Sequence, residues 1–183
     1  MLMEDRDRAQ ESKVLLRRLM RADKTSFARW FRDPEVTKTL AGRTAPVQLL
    51  RKEEIALGTM SEKHQLVRGI VERRTENLIG ATGLYQISRR HKTAYLFVIV
   101  GDKTAWAKGY GGAAAALMLE HTFLEIGLNR VMLHVYEYNI RGVRAYERVG
   151  FKREGKLVAD QYYDGRFWDT IVMGMTRADW TRE

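Results

Sequence analysis

The residues best suited to chemistry in this 183-residue sequence lie between Thr104 and Phe151. Trp106-Ala107-Lys108-Gly109-Tyr110-Gly111-Gly112-Ala113 is a glycine-rich turn that opens onto an apolar helical run. The first N–H groups of a helix have no intrahelical partner, and the helix dipole adds partial positive charge there. Such a turn is an anion site, and Gly109 and Gly111 keep Cβ atoms away from an approaching phosphate. The competing reading is a plain glycine-rich connector. Further along, Asn139-Ile140-Arg141-Gly142-Val143-Arg144-Ala145-Tyr146-Glu147-Arg148-Val149-Gly150-Phe151 places three arginines on one short helix, of which only some can point at the same anion. Lys108 adds charge beside the turn. Together the two stretches suit one long, phosphorylated cofactor.

Two rival phosphate motifs fit less well. A P-loop needs Gly-Lys followed by Ser or Thr, whereas Lys108 precedes Gly109. Gly109, Gly111 and Ala114 satisfy the G-x-G-x-x-A form of the dinucleotide fingerprint, but residues 101–108 separate them from the nearest strand-like run. That fingerprint follows a strand directly, within alternating βαβ units that are not evident here.

The composition narrows the chemistry further. The sequence contains no cysteine, which removes disulfides, Cys-ligated zinc, iron–sulfur clusters and a covalent thioacyl-enzyme. No metal site is expected. The 32 Lys and Arg against 23 Asp and Glu give a net charge of +9, which suits a polyanion or a phosphorylated cofactor, or simply a solvated basic surface. Its start is charged and lacks the apolar core of a signal peptide, and the longest apolar run, residues 111–119, is too short to cross a bilayer. A single domain over 1–183, with 1–12 as a polar lead-in, and a cytoplasmic location are the expectations.

These groups need a scaffold, and the hydrophobic pattern supplies one. Val14 to Leu19 reads as a first strand. Asp23 and Thr25 offer N-cap oxygens to a helix through Phe27, Trp30 and Phe31, which Asp33-Pro34 should end. A second helix is predicted over about 47–60. Segments 65–72, 78–87 and 93–100 then read as three strands of an antiparallel meander. A helix follows from Gly112 to about Ile126, with Ala116, Leu117, Leu119, Phe123 and Leu124 on its apolar face and Gly127 at its end. A strand over 130–136, a helix over 141–149 and strands over 156–163 and 167–173 complete the chain, with Asp164-Gly165 as a hairpin turn. The order β-α-α-β-β-β-α-β-α-β-β describes a mixed α/β sheet.

The two glycine- and asparagine-bearing stretches resemble the GNAT superfamily of acetyl-CoA-dependent N-acetyltransferases. Residues 106–113 are similar to its Q/R-x-x-G-x-G/A pyrophosphate loop, with Trp106 in the Gln/Arg place, and residues 139–151 to its N-x-x-(A)-x-x-x-Y-x-x-x-G-F segment. Trp30-Phe31-Arg32-Asp33-Pro34-Glu35-Val36 resembles the W-x-x-D-P-x-V stretch of the branch holding ribosomal-protein N-terminal, polyamine and some aminoglycoside acetyltransferases. The resemblance implies a mostly antiparallel seven-stranded sheet with a splayed parallel pair, flanked by about four helices.

It also implies a site. The cofactor-binding set is Val98, Val100, Trp106, Lys108, Gly109, Tyr110, Gly111, Gly112, Ala113, Asn139, Arg141 and Arg148. A backbone N–H near Val98 to Val100 would polarise the thioester carbonyl. Asn139 would bond the pantetheine arm, although capping the next helix is an equally reasonable role. Tyr146 matches the family's tyrosine near the sulfur, making it the general-acid candidate, with a core tyrosine as the alternative. His134 lies where some relatives carry a base. Alternation sets it on one strand face with Met132 and Tyr136, and Glu137, a water chain or a purely structural histidine are the alternatives. In this branch Trp30, Phe31, Tyr162, Tyr163 and Trp168 would wall the acceptor site, with ordinary core packing at least as reasonable a role. The expected partners are acetyl-CoA and an amine acceptor, a small molecule or a protein N-terminus, with no membrane, no direct nucleic-acid ligand, and a monomeric or homodimeric chain. A non-catalytic acyl-CoA-binding domain and a basic nucleic-acid-binding protein are the other functions the sequence allows.

Overall fold

A computed structural model describes residues 12–40 and 65–180. Seven strands form one sheet in the order β1-β2-β3-β4-β5-β7-β6. The strands are β1 (Val14–Arg17), β2 (Leu66–Glu72), β3 (Leu78–Ser88), β4 (Thr93–Val100), β5 (Arg130–Tyr136), β6 (Lys152–Tyr163) and β7 (Arg166–Thr176). The helices are α1 (Asp23–Trp30), α2 (Pro34–Thr37), α3 (Tyr110–Glu120), α4 (Ile140–Val149) and α5 (Arg177–Trp180). Only β4 and β5 run parallel; every other neighbouring pair is antiparallel. This is the mixed sheet with the meander, parallel pair and flanking helices expected from the sequence. The helix predicted over 47–60 falls outside the described residues.

The parallel pair decides the shape of the molecule. Its register covers Thr93↔Arg130, Ala94↔Val131 and Tyr95↔Met132 and stops there. On their outer sides both strands stay paired to their ends, β4 with β3 as far as Gly80↔Val100 and β5 with β7 as far as Tyr136↔Thr170. The two strands therefore part beyond Tyr95, leaving facing backbone edges that neither strand satisfies for the other. Apolar side chains anchor the wedge. Val131, Leu133 and Val135 face one side of β5 and are buried with Met118, Leu119 and Phe123 of the helical layer, while His134 faces the other side.

Local differences from the sequence reading have physical causes. Asp23 does not cap α1, whose N-cap is Ala22. Burial alone would raise the Asp23 pKa, but a two-pronged bond from Arg17 (2.7 and 2.8 Å) and the Met20 N–H hold it below the usual carboxylate value. Asp33-Pro34 does end α1, and it also starts α2, because the Asp33 carboxylate accepts from the Glu35 N–H at 2.9 Å with Pro34 at the first turn. Helix α3 begins at Tyr110 instead of Gly112 and widens into a π-helical turn over His121–Ile126. There the Thr122 hydroxyl donates to the Met118 carbonyl at 2.5 Å, and Gly127 at φ 75° closes the turn. Its buried face is centred on Ala115, Met118, Leu119, Thr122 and Phe123, so Ala116 and Leu124 are exposed, contrary to expectation. An alanine-rich run is apolar on nearly all sides, and periodicity cannot choose its inward face. The Asp164-Gly165 turn has φ of 52° and 79°, the two positive values that a type I′ hairpin requires.

Candidate active site

A cleft of about 180 Å³ opens where β4 and β5 part, between the start of α3 and the start of α4. Gly109 caps α3 with φ 82°, a left-handed conformation in which a side chain would be strained. This turns the chain so that the N–H groups of Tyr110, Gly111 and Gly112 lead the helix. A Cβ built on Gly111 would lie in ordinary contact, 3.6 and 3.8 Å, with the side chains of Val100 and Val98, so the start of α3 sits directly against these two cleft-lining residues. The cradle stops at Gly112, because the Ala113 N–H already donates to the Gly109 carbonyl at 3.1 Å. Ala113 packs inward against the cluster of Val14, Ile70 and Ile79 instead of facing the cleft, which corrects its place in the expected cofactor set.

Of the expected cofactor residues, Val98, Val100, Trp106, Gly109, Tyr110, Gly111, Gly112, Asn139, Arg141 and Arg148 line this cleft. Lys108 does not line it: it is exposed and near enough to Glu72 to help lower that carboxylate's pKa, behind the bonds from Thr75 and Tyr110. The Tyr110 hydroxyl donates to Glu72, tying the start of α3 to β2, so Tyr110 offers the cleft its backbone and not its phenol. Arg144 is exposed and outside the lining. The sequence missed the walls given by Val36, Thr39 and Leu40, which come from the segment around α2. Their only advance signal was the run 30–36.

Trp106 has a definite place. Its Nε1–H donates to the Val100 carbonyl at 2.8 Å, at the end of the β4 edge, and the Arg141 guanidinium lies 4.0 Å from its ring centre. Asn139 caps α4, its Oδ1 accepting from the Gly142 N–H at 3.0 Å. The capping half of the paired expectation for Asn139 is therefore present.

Deeper in the wedge a smaller pocket joins Tyr146 to His134, with Tyr85, Leu96, Val98 and Asn139 in its wall. Burial pushes the Tyr146 hydroxyl well above the ordinary phenol pKa, with Tyr85 adding to the rise and the Val98 N–H opposing it. Tyr146 is thus a protonated acid at neutral pH. Tyr85 is itself pushed up to about 12 by burial and by Tyr95 and Tyr136. Burial lowers the His134 pKa below its ordinary value, and Asp160 partly opposes the shift. Its imidazole, edge-on to Tyr95, is therefore neutral at pH 7 and able to accept a proton. An acid and a base on opposite sides of one wedge can serve the two proton movements of an acyl transfer.

The expected acceptor wall is only partly assembled. Trp30 is a core residue, 3% exposed among Phe27, Val36, Phe97 and Ile99, and Phe31 packs beside it. Of the two roles open to them, core packing is the one present, since the end of α1 turns its aromatic face onto β4. Tyr162 projects from the hairpin tip against Phe167. Tyr163 and Trp168 instead gather on Tyr138, which stacks on Tyr136 and Tyr163 at 5.4 and 5.0 Å and meets Trp168 edge-on. The Tyr138 hydroxyl donates to the Lys38 carbonyl at 2.7 Å, joining the turn after β5 to the chain just past α2. Nothing local in the sequence signals Tyr138, because its partners lie in separate segments.

A sheet that splays beside a glycine-led helix start, with a phenol and an imidazole lining the opening, has an arrangement suited to acyl transfer. Residues 13–152 match the family described as Acetyltransferase (GNAT) domain, and the chain belongs to that family. It is 32% identical over 106 residues to a spermidine N(1)-acetyltransferase from Vibrio cholerae, an alignment covering 58% of this chain and 61% of that protein. An uncharacterized N-acetyltransferase of Bacillus subtilis, YoaA, is 24% identical over 168 residues, covering 90% of this chain and 94% of the relative. Among solved structures, a chimera of Vibrio cholerae spermidine N-acetyltransferase SpeG and hSSAT superposes with a TM-score of 0.73 at 26% identity, covering 94% of this chain and all of that one. The Vibrio cholerae enzyme solved with CoA and spermine gives 0.78 at 22% identity, covering 92% and 98%, a likeness of fold alone. Among the described residues no helix is long and apolar enough to cross a membrane.

Proposed function

We propose that this chain transfers the acetyl group of acetyl-CoA directly to a primary amine, with polyamines the acceptor class named for its relatives. The observation that carries the reading is the parting of β4 and β5 beside the Gly109–Gly112 turn, with Tyr146 at the inner end of the opening. Acetyl-CoA supplies an activated thioester, whose acyl–sulfur bond breaks as the acyl–nitrogen bond forms. The N–H groups of residues 110–112 hold the pyrophosphate, with charge from Arg141 and Arg148. The β4 edge groups at Val98 to Val100 not already held by Tyr146 and Trp106 orient the pantetheine arm and polarise the carbonyl, and the Asn139 side chain steers the arm from the other side. Tyr146 gives its proton to the departing thiolate, and His134 takes one from the attacking amine. With no cysteine in the chain, an acetyl-thioenzyme is ruled out.

A second acceptor, the N-terminal amine of a protein, is favoured by charge. Carboxylates near the hairpin already hold partners: Asp169 takes Lys156 at 2.6 Å and the Ala159 N–H, and Asp160 takes the Thr170 hydroxyl. Asp33 and Glu35 both hold Lys103. Asp169, Asp33 and Glu35 are thus paired with lysines, which leaves a polycation fewer carboxylates there among the described residues. An α-amine, with a pKa of about 8, also yields its proton more readily than an alkylamine at about 10.4.

The test is release of free CoA thiol from acetyl-CoA with spermidine, spermine and peptides bearing free N-termini. Turnover with a polyamine supports the first reading, and turnover with peptides alone supports the second. CoA binding with no thiol released by any amine would leave a binding domain and overturn catalysis.

A further inference from the structure

The Trp106 indole has one hydrogen-bond donor, and the Val100 carbonyl occupies it. The indole therefore cannot itself bind a phosphate oxygen. Its free face instead carries the Arg141 guanidinium, 4.0 Å from the ring centre. Arg141 is an exposed residue whose guanidinium is only partly desolvated, and arginine stays charged throughout the working range. Among the described residues no carboxylate pairs with it. A ring quadrupole compensates such a cation only in part. The remaining charge lies in the cleft lining that contains the N–H cradle of Gly109 to Gly112 and Arg148.

We infer that Trp106 and Arg141 act as one unit for donor recognition: the end of β4 fixes the indole, the indole face aims the guanidinium, and the guanidinium meets the phosphate charge of the donor. This rests on the reading of the cleft as the acetyl-CoA site. Trp106 is then a positioning residue, acting through Arg141. The ring face carries the function, and the Nε1–H serves to hold the ring plane. Arg141, in the first turn of α4, brings that helix into donor binding, and the loop supplies the surface it rests on.

The test is calorimetric titration of CoA into the wild type, Arg141→Ala, Trp106→Ala, Trp106→Phe and the Trp106→Ala/Arg141→Ala double variant, with pantetheine as the phosphate-free probe. Arg141→Ala should weaken CoA roughly ten-fold or more. Trp106→Ala should weaken it about 2- to 30-fold, the range of a cation–π contact. The double variant should bind no worse than Arg141→Ala within about two-fold, and Trp106→Phe should stay closer to wild type than Trp106→Ala. Pantetheine affinity should be the same in all five proteins. Full addition of the two single effects, an unchanged Trp106→Ala, or an equal loss for pantetheine would each overturn the unit. If Trp106→Ala does not fold, Trp106→Phe combined with Arg141→Ala gives the same additivity test. Wild-type protein that binds no CoA would overturn the site reading, a different failure from wild-type binding with additive variants.

Discussion

On the donor side of the cleft, the groups that face inward are largely backbone: the N–H groups after Gly109 and the unpaired edge of β4 past Tyr95. Side chains there, such as Trp106 and Arg141, come from residues next to those backbone features. On the side proposed for the acceptor the groups are side chains gathered from distant segments, with Tyr138 linking Tyr163, Trp168 and the carbonyl of Lys38. A backbone cradle needs only small residues and a fixed φ, and many sequences supply those. A side-chain wall depends on the identity of every contributor, and this is where acceptor preference can change without disturbing the donor grip.

The largest effect should come from filling the donor floor. Gly111→Glu places a side chain toward Val98 and Val100 and an unpaired negative charge in an anion site. CoA affinity should fall roughly 100-fold or more while the melting temperature without CoA stays near wild type. Retained affinity would show that the backbone does not form the grip.

Next is Tyr146→Phe, which removes a protonated acid and leaves a ring of the same shape. The kcat should drop about 100-fold with CoA affinity unchanged. Because the phenol pKa is raised, wild-type activity should show no alkaline limb from Tyr146 below about pH 10. An unchanged kcat would mean that the thiolate leaves without this proton.

His134→Gln should lower the rate about ten-fold at neutral pH. The direction of the pH effect follows from the depressed pKa: the imidazole is neutral at pH 7 and gains a proton only below its ordinary value of 6.5. Wild-type kcat should therefore fall as pH drops through a midpoint below 6.5, and the variant should lose that limb. A limb that persists would move the base to Glu137 or water.

The smallest effect sharpens the comparison most. Tyr138→Phe keeps the aromatic stack and removes only the bond to Lys38, a net loss of about 1 kcal/mol. Acceptor KM should rise a few-fold with CoA affinity constant. Equal changes for donor and acceptor would erase the distinction between the two sides.

The contrast also explains what could be read in advance. Residues 106–112 and 139–151 each act within a short span, so their types and spacing sufficed to anticipate a helix start after the glycine turn and a capped helix carrying Tyr146. The strands 93–100 and 130–136 were legible from their runs of β-prone residues. Ala113 was misplaced because one helical hydrogen bond, invisible in a residue list, takes its N–H. Trp30 stayed open between cleft and core because an aromatic residue on a helix reads the same in either place.

By itself the sequence determined the element order, the glycine turn, the lack of a thiol nucleophile and the surplus of positive charge, since each depends on composition or on neighbours a few residues apart. The tertiary structure decided where β4 and β5 stop pairing, which face of α3 turns inward, that Arg141 rests on Trp106, and that Tyr138 meets Lys38. Those are long-range packing outcomes, fixed when the sheet, the helical layer and the hairpin settle against one another. No local pattern encodes a contact whose two halves lie 100 residues apart.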